Sequence, residues 1–265
     1  MPDQPVPGVF ASWRSFWDFE RSTRRRLRYV RSAETEQFLQ TVLTTSESRR
    51  IVIPSGRIFW RAQLGHDWRV DPGSEETIAC AYPRSRMKPL PDKAWDGRAN
   101  PRGIPSLYLA TSKETAMSEV RPWIGSLVSV GQFRTRRDLT VVDCGRKHEG
   151  IAFHFDEPEP HERVDTVWRH IDKAFAEPMT RSDDTADYAP TQILAELFKH
   201  AGLDGVVYRS NFGEDGFNIA LFDPDDADIV NCGLFKVENI DLRFKEEDPF
   251  WSLRDPPAGG GNETT

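Results

Sequence analysis

Apolar and polar residues change their spacing several times along the chain, and each change marks an element. Residues 12–31 set Trp13, Phe16, Trp17, Phe19 and Leu27 among many arginines. Ser32 then stands as an N-cap, with Glu34 and Glu36 in the first turn and Phe38, Leu39, Val42 and Leu43 on one face. Residues 10–46 are thus predicted to form a helical N-terminal element. From residue 51 the pattern shortens. Ile51-Val52-Ile53 and the run Arg57-Ile58-Phe59-Trp60-Arg61 read as strands around a Pro54-Ser55-Gly56 turn. Residues 65–106 show little periodicity and are rich in Gly, Pro and charge, the mark of a functional or partly disordered loop. Leu107-Tyr108-Leu109-Ala110 is a short apolar strand, and Thr111 with Glu114 forms a capping box for a helix running to about Arg121.

Further strands are expected at residues 126–133 and 139–144, and a helix near 161–177 within an acidic, irregular stretch. Pro190 at a first helical position opens an amphipathic helix through Ile193, Leu194, Leu197 and Phe198, and Gly202 closes it. Strands follow at residues 205–208 and 217–222, with one or two more within 234–244. The expected fold class is α+β. The chain divides into an N-terminal helical element (1–50), a main domain (51–245) and a flexible, Gly-rich C-terminal tail (246–265).

Composition narrows the function classes. The chain has 265 residues, enough for a core without disulfides or a structural metal, and its eight Trp and sixteen Phe argue against general disorder. No apolar run reaches the roughly 20 residues of a membrane span, and no signal peptide is visible at the N-terminus. The three cysteines, Cys80, Cys144 and Cys232, are too few and too scattered for a disulfide framework or a CxxC zinc site, which points to the cytoplasm. His154, His161 and His170 lie among carboxylates but lack a compact ligand pattern, so no metal is expected.

Charge is uneven. The net −7 divides into +3 over residues 1–50, +4 over 51–145 and −14 over 146–265. Of the basic residues 27 are Arg and eight are Lys. An acidic chain is poorly suited to wrapping duplex nucleic acid, and the basic stretch from Arg21 to Arg31 reads as a solvated helix face. A local Arg site for a small phosphorylated ligand remains open, because guanidinium groups grip phosphate through two parallel hydrogen bonds.

Candidate chemistry is spread over four segments. Arg61 sits on a strand, where a cation needs an anion. Arg98 and Arg102 flank Asn100-Pro101 in a turn bounded by Gly97 and Gly103, a shape that offers guanidinium and backbone N–H groups to one anion. Glu119 lies on the helix after Tyr108, where a carboxylate stabilises an oxocarbenium-like transition state if it faces a pocket. Each of these signals alone is more often a surface ion pair or a core aromatic.

In order and spacing they resemble the RES domain family, named for its Arg, Glu and Ser residues. The matching segments are Arg61, the turn Gly97-Arg98-Ala99-Asn100-Pro101-Arg102-Gly103, the Tyr108-Leu109-Ala110 strand and the helix end Ala116-Met117-Ser118-Glu119-Val120-Arg121. Downstream they are Tyr188-Ala189-Pro190-Thr191-Gln192, Gly205-Val206-Val207-Tyr208-Arg209-Ser210 and Asn218-Ile219-Ala220-Leu221-Phe222. The resemblance covers roughly residues 57–230, and Ala99 stands where a larger residue is common.

It implies an ADP-ribosyltransferase-like, split mixed β-sheet with flanking helices, and NAD as substrate. It also implies the toxin of a toxin–antitoxin pair with an Xre-type antitoxin. Arg61 and Arg98 would hold the pyrophosphate, Asn100 would lie with them, and Tyr108 would stack on or orient the nicotinamide. Glu119 would stabilise the ribose cation, with Ser210 and Asn218 hydrogen-bonding near that ribose. Arg61, Tyr108, Glu119 and Ser210 are the expected catalytic group. Ser210 is not assigned as a nucleophile, because no His is placed to activate it. The acceptor stays open between phosphate as co-substrate, water and a macromolecule, as does a non-catalytic nucleotide-binding module.

Overall fold

A computed structural model describes residues 8–90, 93–146, 156–177, 185–212 and 216–241. Along the chain the described elements are α1 (Ser15–Arg25), α2 (Ala33–Ser46), β1 (Arg50–Ile53), β2 (Ile58–Leu64), β3 (Asp67–Val70), β4 (Thr77–Cys80) and α3 (Arg84–Met87). Then come β5 (Leu107–Ala110), α4 (Lys113–Glu119), β6 (Leu127–Thr135), β7 (Leu139–Asp143) and α5 (Pro160–Ala176). The last are α6 (Ala189–His200), β8 (Gly205–Arg209), β9 (Phe217–Leu221) and β10 (Ala227–Lys236).

Eight strands form one mixed sheet in the order β1-β7-β8-β9-β5-β2-β6-β10, with β7 and β8 parallel and the other pairs antiparallel. The sheet is split: β2 and β5 share a single paired position, Trp60 opposite Ala110, while β2 and β6 pair over seven. This is the α+β, split mixed sheet with flanking helices that the resemblance implied.

Alternation along each strand sends side chains into different cores. Val206, Tyr208, Ala220 and Phe222 face α1, α2, α5 and α6 in one cluster with Phe16, Phe38, Trp168 and Phe198. The intervening Val207, Ile219 and Leu221 share a second cluster with Phe59, Phe133 and Ile229. That cluster draws on both sides of the split, so the sheet curls over and its two leaves pack against each other. Ala62, Ala110, Ala116, Val128 and Val130 make a third cluster beneath α4.

Ser32 caps α2 as its position suggests, accepting from the Thr35 amide. Gly202, at φ 78°, ends α6 with a bond from its amide to the Lys199 carbonyl. β1 and β2 flank the Pro54-Ser55-Gly56 turn as read, and their partners are distant in sequence: β1 joins β7 and β2 joins β6. Elsewhere the structure corrects the reading. Residues 65–106 contain a β3–β4 ribbon and the short α3. The cap of α4 is Ser112, whose hydroxyl accepts from the Thr115 amide, because Thr111 is committed to backbone bonds with Phe217. β10 begins at Ala227, before the expected position. His154 and the 246–265 tail lie outside the described residues.

The N-terminal helices share the main core. Arg49, only 4% exposed, lies with its guanidinium 4.7 Å from the Trp168 ring centroid and donates to the Arg146 carbonyl at 2.8 Å. Asp165 is 3.6 Å away. Arg49→Ala is expected to cost about 2–4 kcal/mol, since it removes a buried cation and uncovers the Trp168 ring. It should lower the urea midpoint of a single transition. Two separate transitions would show that residues 8–46 unfold independently.

Among the described residues no helix is long and apolar enough to cross a membrane. None of their His, Cys, Asp and Glu residues forms a group of three or more suited to a metal. His170 stacks on Trp17 with ring centroids 4.7 Å apart.

Candidate active site

The split in the sheet opens into a cavity of about 430 Å³, within the range of small-molecule sites. Register builds its floor. Trp60 lies opposite Ala110, Ala110 opposite Asn218, and Asn218 opposite Tyr208, so one cross-strand row runs from β2 through β5 and β9 to β8. All four residues line the cavity. Directly opposed residues share a face of a sheet, and the small Ala110 at the middle of the row leaves depth between two aromatic rings.

Arg61 stands where β2 and β5 part. Its Nη1 donates to the Tyr108 carbonyl at 3.0 Å, bridging the gap, and its Nε has no partner. It keeps an edge on the cavity, and the protein packed around it lowers its pKa to about 10. It is therefore cationic at neutral pH.

The turn carrying Arg98 approaches from the other side. Gly97 and Asn100 bond to each other through their backbones, leaving Arg98 and Ala99 at the tip. Tyr108 Oη accepts from the Ala99 amide at 2.9 Å and donates to Asn100 Oδ1 at 2.7 Å. Gly97 is required by close approach: a Cβ there would lie 2.5 Å from Tyr108 Oη. Arg98 donates to the Phe175 carbonyl and lines the cavity. Burial pushes the Tyr108 and Tyr208 phenols up, so both stay neutral.

Glu119 ends α4 and faces this cluster. Its Oε1 accepts from Ser210 Oγ at 2.7 Å and from Asn218 Nδ2 at 2.6 Å. Both donors are buried, at 8% and 5% exposure. The two bonds fix the carboxylate through Oε1, and Glu119 lines the cavity.

The structure thus brings Arg61, Arg98, Tyr108, Glu119 and Asn218 to the cavity wall, with Ser210 directly behind Glu119. Asn100 is 3% exposed and lies beneath the wall, donating to the Trp95 and Pro101 carbonyls while holding Tyr108. The large or polar lining residues Trp60, Tyr188, Tyr208 and Arg121 carry no role in the sequence reading. Trp60, Tyr188 and Tyr208 lie inside or beside quoted motifs, and that adjacency was their signal. Arg121 reads as a helical neighbour of Glu119, but the helix ends at Glu119, and Arg121, at φ 47°, lines the cavity from beyond it. Among the described lining residues, Arg61 and Arg98 bring two guanidinium groups to the same cavity as the Glu119 carboxylate, suited to a ligand with an anionic part.

Fold and cavity together define the class: a split-sheet α+β protein with a cavity of charged and aromatic lining at the parting of the sheet. The chain belongs to the RES domain family, whose profile matches residues 58–244. No curated protein matches the sequence. Among solved structures it is similar to the M. tuberculosis MbcT–MbcA toxin–antitoxin complex, at 15% identity and a TM-score of 0.37. That match covers 72% of this chain and 90% of the other.

Proposed function

We propose that the protein is an NAD-consuming enzyme that cleaves the nicotinamide–ribose bond, with inorganic phosphate or water as acceptor. It would serve as the toxin of a toxin–antitoxin pair, held in check by an Xre-type antitoxin. The observation that carries the reading is the fixed Glu119 carboxylate in a cavity rimmed by arginines and aromatic rings. Family membership supports it.

The chemistry follows from charge. NAD presents a diphosphate, a cationic nicotinamide ring and a ribose between them. Arg61 and Arg98 supply donors for the diphosphate, and Trp60, Tyr108, Tyr188 and Tyr208 supply faces and edges for flat rings. The C1′–N bond breaks with its electron pair leaving on nicotinamide, which departs neutral and needs no strong general acid. Positive charge then develops at C1′. Glu119, held in place before the reaction by Ser210 and Asn218, stabilises that charge without reorganising. An oxygen of phosphate or water bonds to C1′ and completes the substitution; with water, one proton is released.

Mass spectrometry of NAD incubated with purified protein, with and without phosphate, tests the reading. Release of nicotinamide together with ADP-ribose or its 1″-phosphate is the expected result. Label from NAD on a macromolecule would replace degradation with transfer. Binding without turnover would reduce the site to a nucleotide-sensing module.

A further inference from the structure

Gln192 lies outside the cavity lining yet reaches its wall. It sits in the first turn of α6, four residues after Tyr188, and is 8% exposed. Its Nε2 lies 3.0 Å from the Gly97 carbonyl, 2.9 Å from the Asn100 carbonyl and 3.4 Å from Asp96 Oδ1. The two carbonyls belong to the residues that close the Arg98 turn, and each already accepts the other's amide. One side-chain amide thus clamps both ends of a four-residue loop whose tip carries a cavity arginine. Tyr108 and Asn100 pin the same loop from the β5 side. Gln192 is the tie from the helical side, and it joins the wall bearing Tyr188 to the wall bearing Arg98.

We propose that Gln192 is a positioning residue that sets Arg98 for the diphosphate end of the ligand, so that it governs substrate affinity through Arg98 and leaves the bond-breaking step to Glu119. The proposal rests on the NAD-cleaving reading above. A guanidinium gives two aligned bonds to a phosphate only when its backbone is held in place. With the clamp gone the loop keeps its own backbone pair and its ties to Tyr108, so the fold persists while the aim of Arg98 loosens.

The test compares Gln192→Met, which preserves volume, and Gln192→Ala with wild type and with Glu196→Gln, an exposed control on the same helix. Both Gln192 variants are expected to raise KM for NAD about tenfold, the loss of one to two neutral hydrogen bonds, with kcat within about threefold. In an Arg98→Ala background the Gln192 substitutions should add less than about twofold, because their effect is transmitted through that guanidinium. An unchanged KM, a loss confined to kcat, or full additivity with Arg98→Ala would overturn the proposal. Amide hydrogen exchange of residues 97–103 is the second arm. Protection should fall about tenfold in both variants and stay unchanged in the control. If wild-type protein releases no nicotinamide, the NAD reading fails, and the exchange arm still decides the clamp: unchanged protection rejects it.

Discussion

Glu119→Gln is expected to lower kcat for nicotinamide release by about 10² to 10³, the range seen when one preorganised electrostatic group is removed from a developing charge. The substitution is nearly isosteric. A side-chain carbonyl at the Oε1 position still accepts from Ser210 Oγ and Asn218 Nδ2, so both buried donors stay satisfied. What disappears is the negative charge facing C1′. Stability should change little and KM less than kcat, because the interaction strengthens on the way to the transition state. Glu119→Ala is a harsher variant, since it takes the acceptor from the buried Asn218 amide, leaves Ser210 Oγ only the longer bond to the Phe212 carbonyl, and loses stability as well. Steady-state rates beside thermal unfolding separate the two effects. A Glu119→Gln enzyme within about tenfold of wild type would remove the carboxylate from the chemistry.

Arg61→Ala is expected to weaken binding of ADP-ribose by about 30- to 100-fold, the value of a charge-assisted, desolvated contact to phosphate. Arg61→Lys should recover only part of it, because an ammonium cannot both bridge to the Tyr108 carbonyl and fork around a phosphate. The pH dependence has a definite sign. Burial disfavours the charged form and brings the Arg61 pKa down to about 10, so the cation is complete at pH 7 and titrates away as pH climbs through 10. Affinity for ADP-ribose should fall over that interval in wild type and stay nearly flat in Arg61→Ala. The Tyr108 and Tyr208 phenols are pushed up and out of this window and do not confuse it. Calorimetric titration between pH 7 and pH 10.5 checks both statements. Equal pH slopes in wild type and Arg61→Ala would place the titrating group elsewhere.

Local signals in the sequence translate well where the physics is local. The Ser32 cap, the proline in the first turn of α6 and the positive φ at Gly202 act within one turn of their own residues. Strand positions were legible from apolar alternation, whereas strand partners were not. Whether Ile53 pairs across the Pro54-Ser55-Gly56 turn or with Leu139 depends on which leaf buries more apolar surface, and no window of sequence contains that comparison. The same limit applies to the site. Arg61, Glu119 and Asn218 carry functional groups and could be named. Trp60 and Tyr208 matter because three separate registers align them with Ala110 and Asn218 in one row, and register is a property of the assembled sheet. Asn100 reads in sequence as a ligand contact, while the structure buries it behind the cavity wall, where it accepts from Tyr108 Oη.

Glu119 and its two hydrogen-bond partners are separated by 91 and 99 residues of chain. Translation therefore delivers the ingredients of the site long before it delivers their geometry. A growing polypeptide that has passed β5 and α4 already carries Arg61, Arg98, Tyr108 and Glu119. Until β8 and β9 emerge it has no Ser210 or Asn218 to orient the carboxylate, and no second half of the aromatic floor. β10 comes later still, and it is the strand that flanks β6 on the far side of its own leaf. Products ending before β9 hold every early residue of the site without its arrangement, so the carboxylate is oriented only once β8 and β9 have been made.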